Sequence, residues 1–139
     1  MSISLSVVHV LVDDPDAALG FYRDVLGLKV RDEVAHAGFR WITLVPESQP
    51  EIRIVLSQPH AGRSQEDGDA IAALLAKGEL GSVFLRTDDL DATFAKIANA
   101  PGVEVIEEPA DRFWGARDIA VRDPAGNLVR IEQGQTATR

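Results

Sequence analysis

Short apolar stretches, each followed by a helical pattern or a turn, recur along the chain. Residues 5–12 are apolar and largely β-branched, which predicts a strand. Asp13-Asp14-Pro15-Asp16 then supplies an N-cap and an acidic first turn for a helix. Apolar residues follow at helical spacing up to Leu26, and Gly27 can end this helix in a left-handed conformation. Three more strands are predicted, at residues 28–33, 39–45 and 51–56.

The second half of the chain repeats this order of elements. A strand is predicted at residues 82–87 and a helix at 89–100, followed by strands at 103–107, 117–122 and 128–133. Asp123-Pro124-Ala125-Gly126-Asn127 has the composition of a tight turn between the last two strands. Each half therefore predicts a βαβββ module.

Residue identities at a constant spacing support an internal duplication. At a spacing of 75 residues the matching pairs are Asp13/Asp88, Asp14/Asp89, Asp16/Asp91, Ala17/Ala92, Gly27/Gly102 and Val30/Val105. At a spacing of 77 they are Gly38/Gly115, Arg40/Arg117, Ile42/Ile119, Arg53/Arg130 and Ile54/Ile131. Because these matches fall at corresponding turns and strand positions, we interpret the chain as two copies of one module.

The boundaries follow from this repeat. We expect residues 1–139 to form a single domain, with module 1 at about 4–57, a linker at about 58–80 and module 2 at about 81–133. Within the linker, residues 70–77 favour a short helix. The tail from Gly134 to Arg139 is expected to fray.

Composition narrows the classes of function. The 22 acidic residues against 14 basic ones give a net charge of −8, which opposes binding to nucleic acid or to an anionic membrane surface. The chain has no cysteine, which excludes disulfides and thiolate metal ligands. No apolar run is long enough to span a membrane, and the first residues lack a basic signal-peptide start, so a cytoplasmic location is expected.

The turn motifs carry a resemblance to a known family. The motifs are Val12-Asp13-Asp14-Pro15-Asp16-Ala17, Phe21-Tyr22, Leu26-Gly27-Leu28, Thr87-Asp88-Asp89-Leu90-Asp91-Ala92 and Arg122-Asp123-Pro124-Ala125-Gly126-Asn127. With the duplicated βαβββ pattern, the chain resembles the vicinal oxygen chelate superfamily, which includes glyoxalase I, bleomycin-resistance proteins and extradiol dioxygenases. The resemblance implies an α+β fold in which two modules form curled mixed sheets around a cavity. It also implies a homodimer, since family members commonly dimerise and many complete each cavity across the dimer.

Alternation along the strands assigns side chains to the two faces of the sheets. Val8, Val10, Val12, Ile52, Ile54, Leu56, Val129 and Ile131 are expected to face helices. Ten residues are expected to bind the ligand in the cavity. They are Val7, His9, Phe39, Trp41, Arg53, Ser82, Phe84, Trp114, Arg130 and Glu132. Leu11, Val55 and Arg86 are expected to share this face.

The metal positions of the family are unsuitable here. The resemblance implies that a divalent ion would be held at Val7, Ser82, Arg53 and Arg130. Valine has no lone pair and a guanidinium accepts no bond, so no metal cofactor is predicted. The alternative is a displaced site that uses His9 and Glu132, for which further ligands are hard to name; His36 and Glu33 are weak candidates.

Several interpretations remain open for individual residues. Arg53 and Arg130 either bind an anionic ligand or pair with internal acids such as Glu51, Glu132 or Asp118. Phe39, Trp41, Phe113 and Trp114 either form an aromatic wall or pack in the core. His9 is the one candidate for catalysis, as a general base, and is otherwise a hydrogen-bonding pocket residue. Tyr22 is assigned to the core, and Asp13, Asp14, Asp88 and Asp89 to helix capping.

These observations favour a small-molecule-binding protein of the bleomycin-resistance type, with an aromatic or anionic ligand and no metal. The alternative is a metal-dependent lyase, isomerase or dioxygenase of the same superfamily with a displaced site. A third possibility is a regulator whose cavity has become a packed core. The sequence does not decide whether a reaction is catalysed.

Overall fold

The computed structural model describes residues 1–134, and the tail expected to fray lies outside the described residues from position 135 onward. Module 1 contains β1 (Val7–Leu11), α1 (Pro15–Leu19), a π-helical continuation (Gly20–Val25), β2 (Lys29–His36), β3 (Phe39–Val45) and β4 (Arg53–Ser57). Helix α2 (Gln65–Ala76) follows. Module 2 contains β5 (Ser82–Thr87), α3 (Leu90–Ile97), β6 (Glu104–Asp111), β7 (Arg117–Arg122) and β8 (Leu128–Gln133).

The strands form two four-stranded mixed sheets with the same topology. The strand order is β1-β4-β3-β2 in sheet 1 and β5-β8-β7-β6 in sheet 2. In each sheet the first strand of the module runs parallel to the last, and the other pairs are antiparallel. The predicted α+β fold of two βαβββ modules is therefore confirmed. Within residues 1–134, no helix is long and apolar enough to cross a membrane.

The first helix begins where the sequence predicts, but from Gly20 it continues as a π-helix rather than an α-helix. The carboxylate of Asp14 accepts hydrogen bonds from the backbone N–H groups of Asp16 and Ala17, and Pro15 occupies the first turn, where no N–H is needed. The segment then continues as a π-helix, in which the N–H of Leu26 donates to the carbonyl of Phe21 at 2.9 Å. The wider turn leaves the adjacent Phe21 and Tyr22 side chains both buried.

Three elements extend three or more residues beyond their predicted boundaries. β2 continues to His36 rather than ending at residue 33, and β6 continues to Asp111 rather than ending at residue 107. Both extensions are rich in polar residues, so they show no apolar alternation; their pairing with β3 and β7 sustains them. Helix α2 begins at Gln65 rather than at residue 70, because the Ser64 hydroxyl accepts a hydrogen bond from the N–H of Asp67 and so caps the helix.

The helices cover one face of each sheet, and the core lies between them. The buried residues that the strands contribute to this layer, with Val12 just after β1, are Val10, Val12, Ile42, Leu44, Ile54, Leu56, Ile119, Val121, Val129 and Ile131. Val8 pairs with the buried Ile54 and so lies on the same face, but it remains 42% exposed. β1 is an edge strand that pairs with β4 alone, so nothing covers Val8 from the other side.

The two modules meet at a buried carboxylate in the β7–β8 turn. Asp123 is 2% exposed and accepts a hydrogen bond of 2.6 Å from the hydroxyl of Tyr22 in module 1. It also accepts from the N–H groups of Ala125 and Asn127 and from the side-chain amide of Asn127. The same amide donates to the carbonyl of Leu11 at the end of β1. Asp123 thus shapes its own turn and anchors that turn to module 1.

Tyr22 is the single tyrosine of the chain, so its ionisation can be followed directly. Burial, and then the charge and hydrogen bond of Asp123, raise the pKa of Tyr22 well above its ordinary value. Its stabilising effect is therefore complete below the unfolded pKa of about 10 and is lost as pH rises through the higher folded value. We expect no tyrosinate absorbance near pH 10 in the folded protein, and ordinary titration in denaturant.

The substitution Tyr22→Phe removes the hydroxyl but keeps the ring. It should lower the free energy of unfolding at neutral pH by about 1–2 kcal/mol, because Asp123 loses one of its donors. Chemical denaturation measures the change. Two outcomes would contradict the role assigned to this contact. One is an unchanged stability of Tyr22→Phe, and the other is a wild-type Tyr22 that titrates near pH 10 in the folded protein.

Candidate functional site

The face of each sheet that points away from the helices is concave, and it carries most of the predicted ligand-binding residues. On sheet 1, strand pairing sets Val7 beside Arg53 in one row, and His9 beside Val55 and Thr43 in the next. The alternation of β3 places Trp41, and beyond it Phe39, further along the same face. The strands therefore bring Val7, His9 and Arg53 together, whereas the two aromatic residues lie toward the other end.

The concave face of sheet 2 holds the remaining predicted residues. Phe84 lies beside Arg130, and Ser82 beside Leu128 at the start of the strands. Glu132 lies beside Arg86 and accepts hydrogen bonds of 3.1 and 2.9 Å from its guanidinium. Glu132 therefore pairs with an arginine, but with Arg86 rather than with Arg53 or Arg130.

Arg130 belongs to an ion-pair cluster of four residues. Its Nη1 lies 3.0 Å from Oδ2 of Asp118, and its Nη2 lies 2.6 Å from Oε1 of Glu107. Arg112 bonds the same two acids, with Nε 2.6 Å from Asp118 and Nη1 3.3 Å from Glu107. Burial alone would lower the pKa of Arg130, but the hydrogen bonds to Asp118 and Glu107 raise it above its ordinary value. Two cations and two anions leave the cluster neutral.

An aromatic loop stands over this cluster. Trp114 lies on the β6–β7 loop, and its ring centre is 5.4 Å from Cζ of Arg130, within the range of a cation–π contact. The loop is held by Arg112, whose N–H donates to the carbonyl of Ala116 at 2.7 Å. A cavity of about 240 Å³ opens beneath Trp114. It is lined by Phe84, Leu85, Trp114, Asp118, Arg130 and Glu132.

Arg53 has the repeat-equivalent position but the opposite environment. Within residues 1–134 its guanidinium makes no ion pair and no hydrogen bond. Its Nε is buried, and in the described part of the chain it is the one buried side-chain nitrogen or oxygen without a partner. Of the two alternatives drawn from the sequence, pairing with an internal acid therefore describes Arg130 but not Arg53.

The residues at the family's metal positions do not fit a divalent ion. Val7 offers no donor atom, Arg53 is a permanent cation, and Arg130 already engages two carboxylates. Of the alternative ligands, His9 lies on sheet 1, and Glu132 lies on sheet 2, where Arg86 holds its carboxylate. Among residues 1–134, no group of three or more His, Asp or Glu side chains is placed to hold an ion. That the chain uses no metal stays a prediction.

Sequence reasoning missed part of this arrangement. Glu107 and Arg112 complete the cluster, yet β6 is too polar to show which of its side chains turn inward. Asp118 carried a signal, since it is an acid beside the apolar run of β7, and it proved to be only 1% exposed.

The sequence also did not predict a larger open cleft of about 990 Å³. It lies between the β3–β4 loop at residues 46–49 and the exposed side of β5.

Comparisons with known proteins agree with this architecture. Residues 4–131 match the family model described as Glyoxalase/Bleomycin resistance protein/Dioxygenase superfamily. The uncharacterized protein YurT of Bacillus subtilis (strain 168) is 30% identical over 133 residues, which cover 94% of this chain and 99% of YurT.

Two crystal structures show the same fold. UcmS2 aligns with a TM-score of 0.84 and 30% identity, covering 96% of this chain and 100% of its own. TnmS3, described as an antibiotic binding protein from Streptomyces sp. CB03234, aligns with a TM-score of 0.72 and 26% identity, covering 97% and 99%.

The two equivalent arginines should differ in their effect on stability. Arg130→Gln should lower the free energy of unfolding by about 2 kcal/mol, because the buried Asp118 and the partly exposed Glu107 lose a part-buried cation and keep only Arg112. Arg53→Gln should leave stability unchanged or raise it, because it removes a cation without a partner. Denaturant unfolding of both variants measures the difference.

Arg117→Gln is the matched control on the same sheet, because it breaks only the exposed pair with Asp91. Its effect should stay within about 0.5 kcal/mol. Equal losses for Arg130→Gln and Arg53→Gln would show that the two environments do not differ as described.

Proposed function

The chain belongs to the Glyoxalase/Bleomycin resistance protein/Dioxygenase superfamily, and from this premise we propose that it binds a small organic ligand on its concave faces. The ligand is aromatic or anionic, no metal takes part, and two copies of the chain together complete each cavity. The relationship to TnmS3 supports a binding role, since that protein is described as binding an antibiotic. The cytoplasmic location expected from the sequence stays a prediction.

The observation that carries this proposal is the exposure of large apolar side chains on the concave faces. Phe84 is 70% exposed, Trp114 51% and Val34, which pairs beside Trp41, 52%. Water contact with such surfaces is unfavourable, and contiguous exposed apolar patches usually mark sites for ligands or partners. A concave surface with aromatic walls and a few polar groups is typical of a pocket for a flat organic molecule.

The open edges of the sheets support a dimer. β1 pairs with β4 alone and β5 with β8 alone, so each sheet ends in a strand with one free edge. Exposed strand edges favour pairing with another chain. Val8 on β1 and Phe84 on β5 are exposed beside these edges, and a second copy would cover both.

The surroundings of His9 favour binding over catalysis. Within residues 1–134, the imidazole makes no hydrogen bond to any carboxylate or other side chain that could orient it. A general base ordinarily needs such an orienting partner as well as reach to the substrate. We therefore propose His9 as a pocket residue that contacts the ligand, with Arg53 beside it.

Ligand binding can be tested with a neutral aromatic probe, 2-naphthamide, by titration calorimetry. The protein should bind it in a saturable manner, and Trp41→Ala should weaken binding about tenfold, because the naphthyl ring loses an aromatic wall on sheet 1. Phe113→Ala is the control, since this aromatic residue is almost fully exposed on the β6–β7 loop and lies outside sheet 1. Treatment with EDTA should leave the affinity unchanged.

Three outcomes would contradict the proposal. They are the absence of saturable binding, an equal loss in the two variants, and a stoichiometric bound metal whose removal abolishes binding. The last of these would favour the displaced-site metalloenzyme.

The dimer can be tested by sedimentation velocity. The wild-type protein should sediment at twice the 15.0 kDa chain mass. Val8→Asp should shift it to the monomer, because the variant places a charge at the free edge of β1. Leu74→Asp is the control, because Leu74 is equally exposed but lies on α2, outside both sheets. A wild-type monomer at high concentration, or a dimer unaffected by Val8→Asp, would overturn this assignment.

A further inference from the structure

We propose that the ligand carries one carboxylate, which Arg53 binds, and an aromatic or apolar body that lies along sheet 1 toward Trp41. This inference rests on the proposed binding function and names the chemical class of the ligand. It comes from the contrast between two arginines that occupy the same position in the two modules.

The first step is the missing partner of Arg53. A guanidinium has five N–H donors and no acceptor, so each buried N–H needs an oxygen to accept its hydrogen bond. The buried Nε of Arg53 has none among residues 1–134. Leaving a buried donor unsatisfied is unfavourable, and such a group in a native structure calls for an explanation. The terminal Nη1 and Nη2 of Arg53 also make no hydrogen bond among residues 1–134 and, unlike Nε, are not covered by the chain, so they are the donors that a ligand oxygen can reach.

The second step is the neutrality of the other module. Arg130 and Arg112 are matched by Asp118 and Glu107, and Arg86 is matched by Glu132. An anion near Arg130 would have to displace carboxylates that are already in place. Of the three arginines at the cavity strand positions, only Arg53 thus keeps its positive charge available, so the anionic group of a ligand goes to sheet 1.

The third step concerns the kind of anion. A carboxylate matches the planar edge of a guanidinium and accepts two parallel hydrogen bonds from it. It carries one negative charge, which one arginine neutralises. A phosphate monoester carries about 1.5 to 2 negative charges at neutral pH, and a single arginine in apolar surroundings would leave part of this charge unpaired. The site therefore favours a carboxylate.

The fourth step is the path away from Arg53. Val7 lies beside Arg53, and the next row of the same face contains His9, Val55 and Thr43. Trp41 lies two residues beyond Thr43 on β3. A strand rises about 3.3 Å per residue, so Trp41 lies roughly 13 Å from the Arg53 row. This distance suits a ligand with a carboxylate at one end and an aromatic or apolar body.

The test compares 2-naphthoate with 2-naphthamide, which share the ring and differ in the anionic group. We expect the wild-type protein to bind 2-naphthoate about tenfold more tightly, because a charge-assisted bidentate contact is stronger than a neutral one. Arg53→Gln should reduce the affinity for 2-naphthoate to that for 2-naphthamide and leave the latter unchanged. Arg53→Lys should retain part of the preference, since it keeps the charge but not the planar edge.

Arg23→Gln controls for the loss of one positive charge, because Arg23 is exposed on the first helix and pairs with its neighbour Asp24. It should leave both affinities unchanged. 1-Naphthyl phosphate should bind more weakly than 2-naphthoate. Circular dichroism and thermal unfolding establish that each variant is folded.

The outcomes separate this inference from the proposed function. Equal binding of 2-naphthoate and 2-naphthamide, with no effect of Arg53→Gln, would overturn the role of Arg53 and leave the binding function intact. Tighter binding of the phosphate would overturn the assignment of a carboxylate. Binding of neither naphthoate nor naphthamide would overturn the proposed function and this inference together.

Discussion

The position of the two modules relative to one another depends on the buried carboxylate of Asp123. A charged group in the core is tolerated only when hydrogen bonds replace its lost hydration, and Asp123 accepts them from Tyr22, Ala125 and Asn127. Some of these donors form the β7–β8 turn, and the Tyr22 hydroxyl comes from module 1. One side chain therefore fixes a local turn and a long-range contact at the same time.

This contact also decides which surfaces stay open. The Asn127 amide bonds the carbonyl of Leu11, so the end of β1 is held against the β7–β8 turn of module 2. The buried residues of both modules then form one continuous core on the helix side of the sheets. The concave faces and the free edges of β1 and β5 remain uncovered within the described chain. The way the core is closed thus leaves open the faces and edges on which the proposed ligand and second copy would lie.

The duplication gave the two modules equivalent arginines, and their surroundings then separated their roles. Arg130 is fixed by two acids and covered by Trp114, so it supports a neutral aromatic surface. Arg53 lies beside Val7 and keeps an unpartnered Nε. The energy of a charge inside a protein depends more on the groups within a few ångströms than on its own chemistry. The same residue can therefore be structural in one module and available to a ligand in the other.

Much of the fold was readable from the sequence, because local rules act over a few residues. The capping Asp14, the stop at Gly27, the turn at residues 123–127 and the alternation along β3, β5, β7 and β8 located these elements correctly. The repeat then implied two modules, and alternation assigned Arg53 and Arg130 to the concave faces. The polar ends of β2 and β6 were missed, because pairing with a neighbouring strand, rather than a hydrophobic pattern, holds them in place.

The tertiary structure alone decided which arginine is neutralised. Asp118, Glu107 and Arg112 come from separate strands and a loop, and only folding brings their charges within hydrogen-bond distance of Arg130.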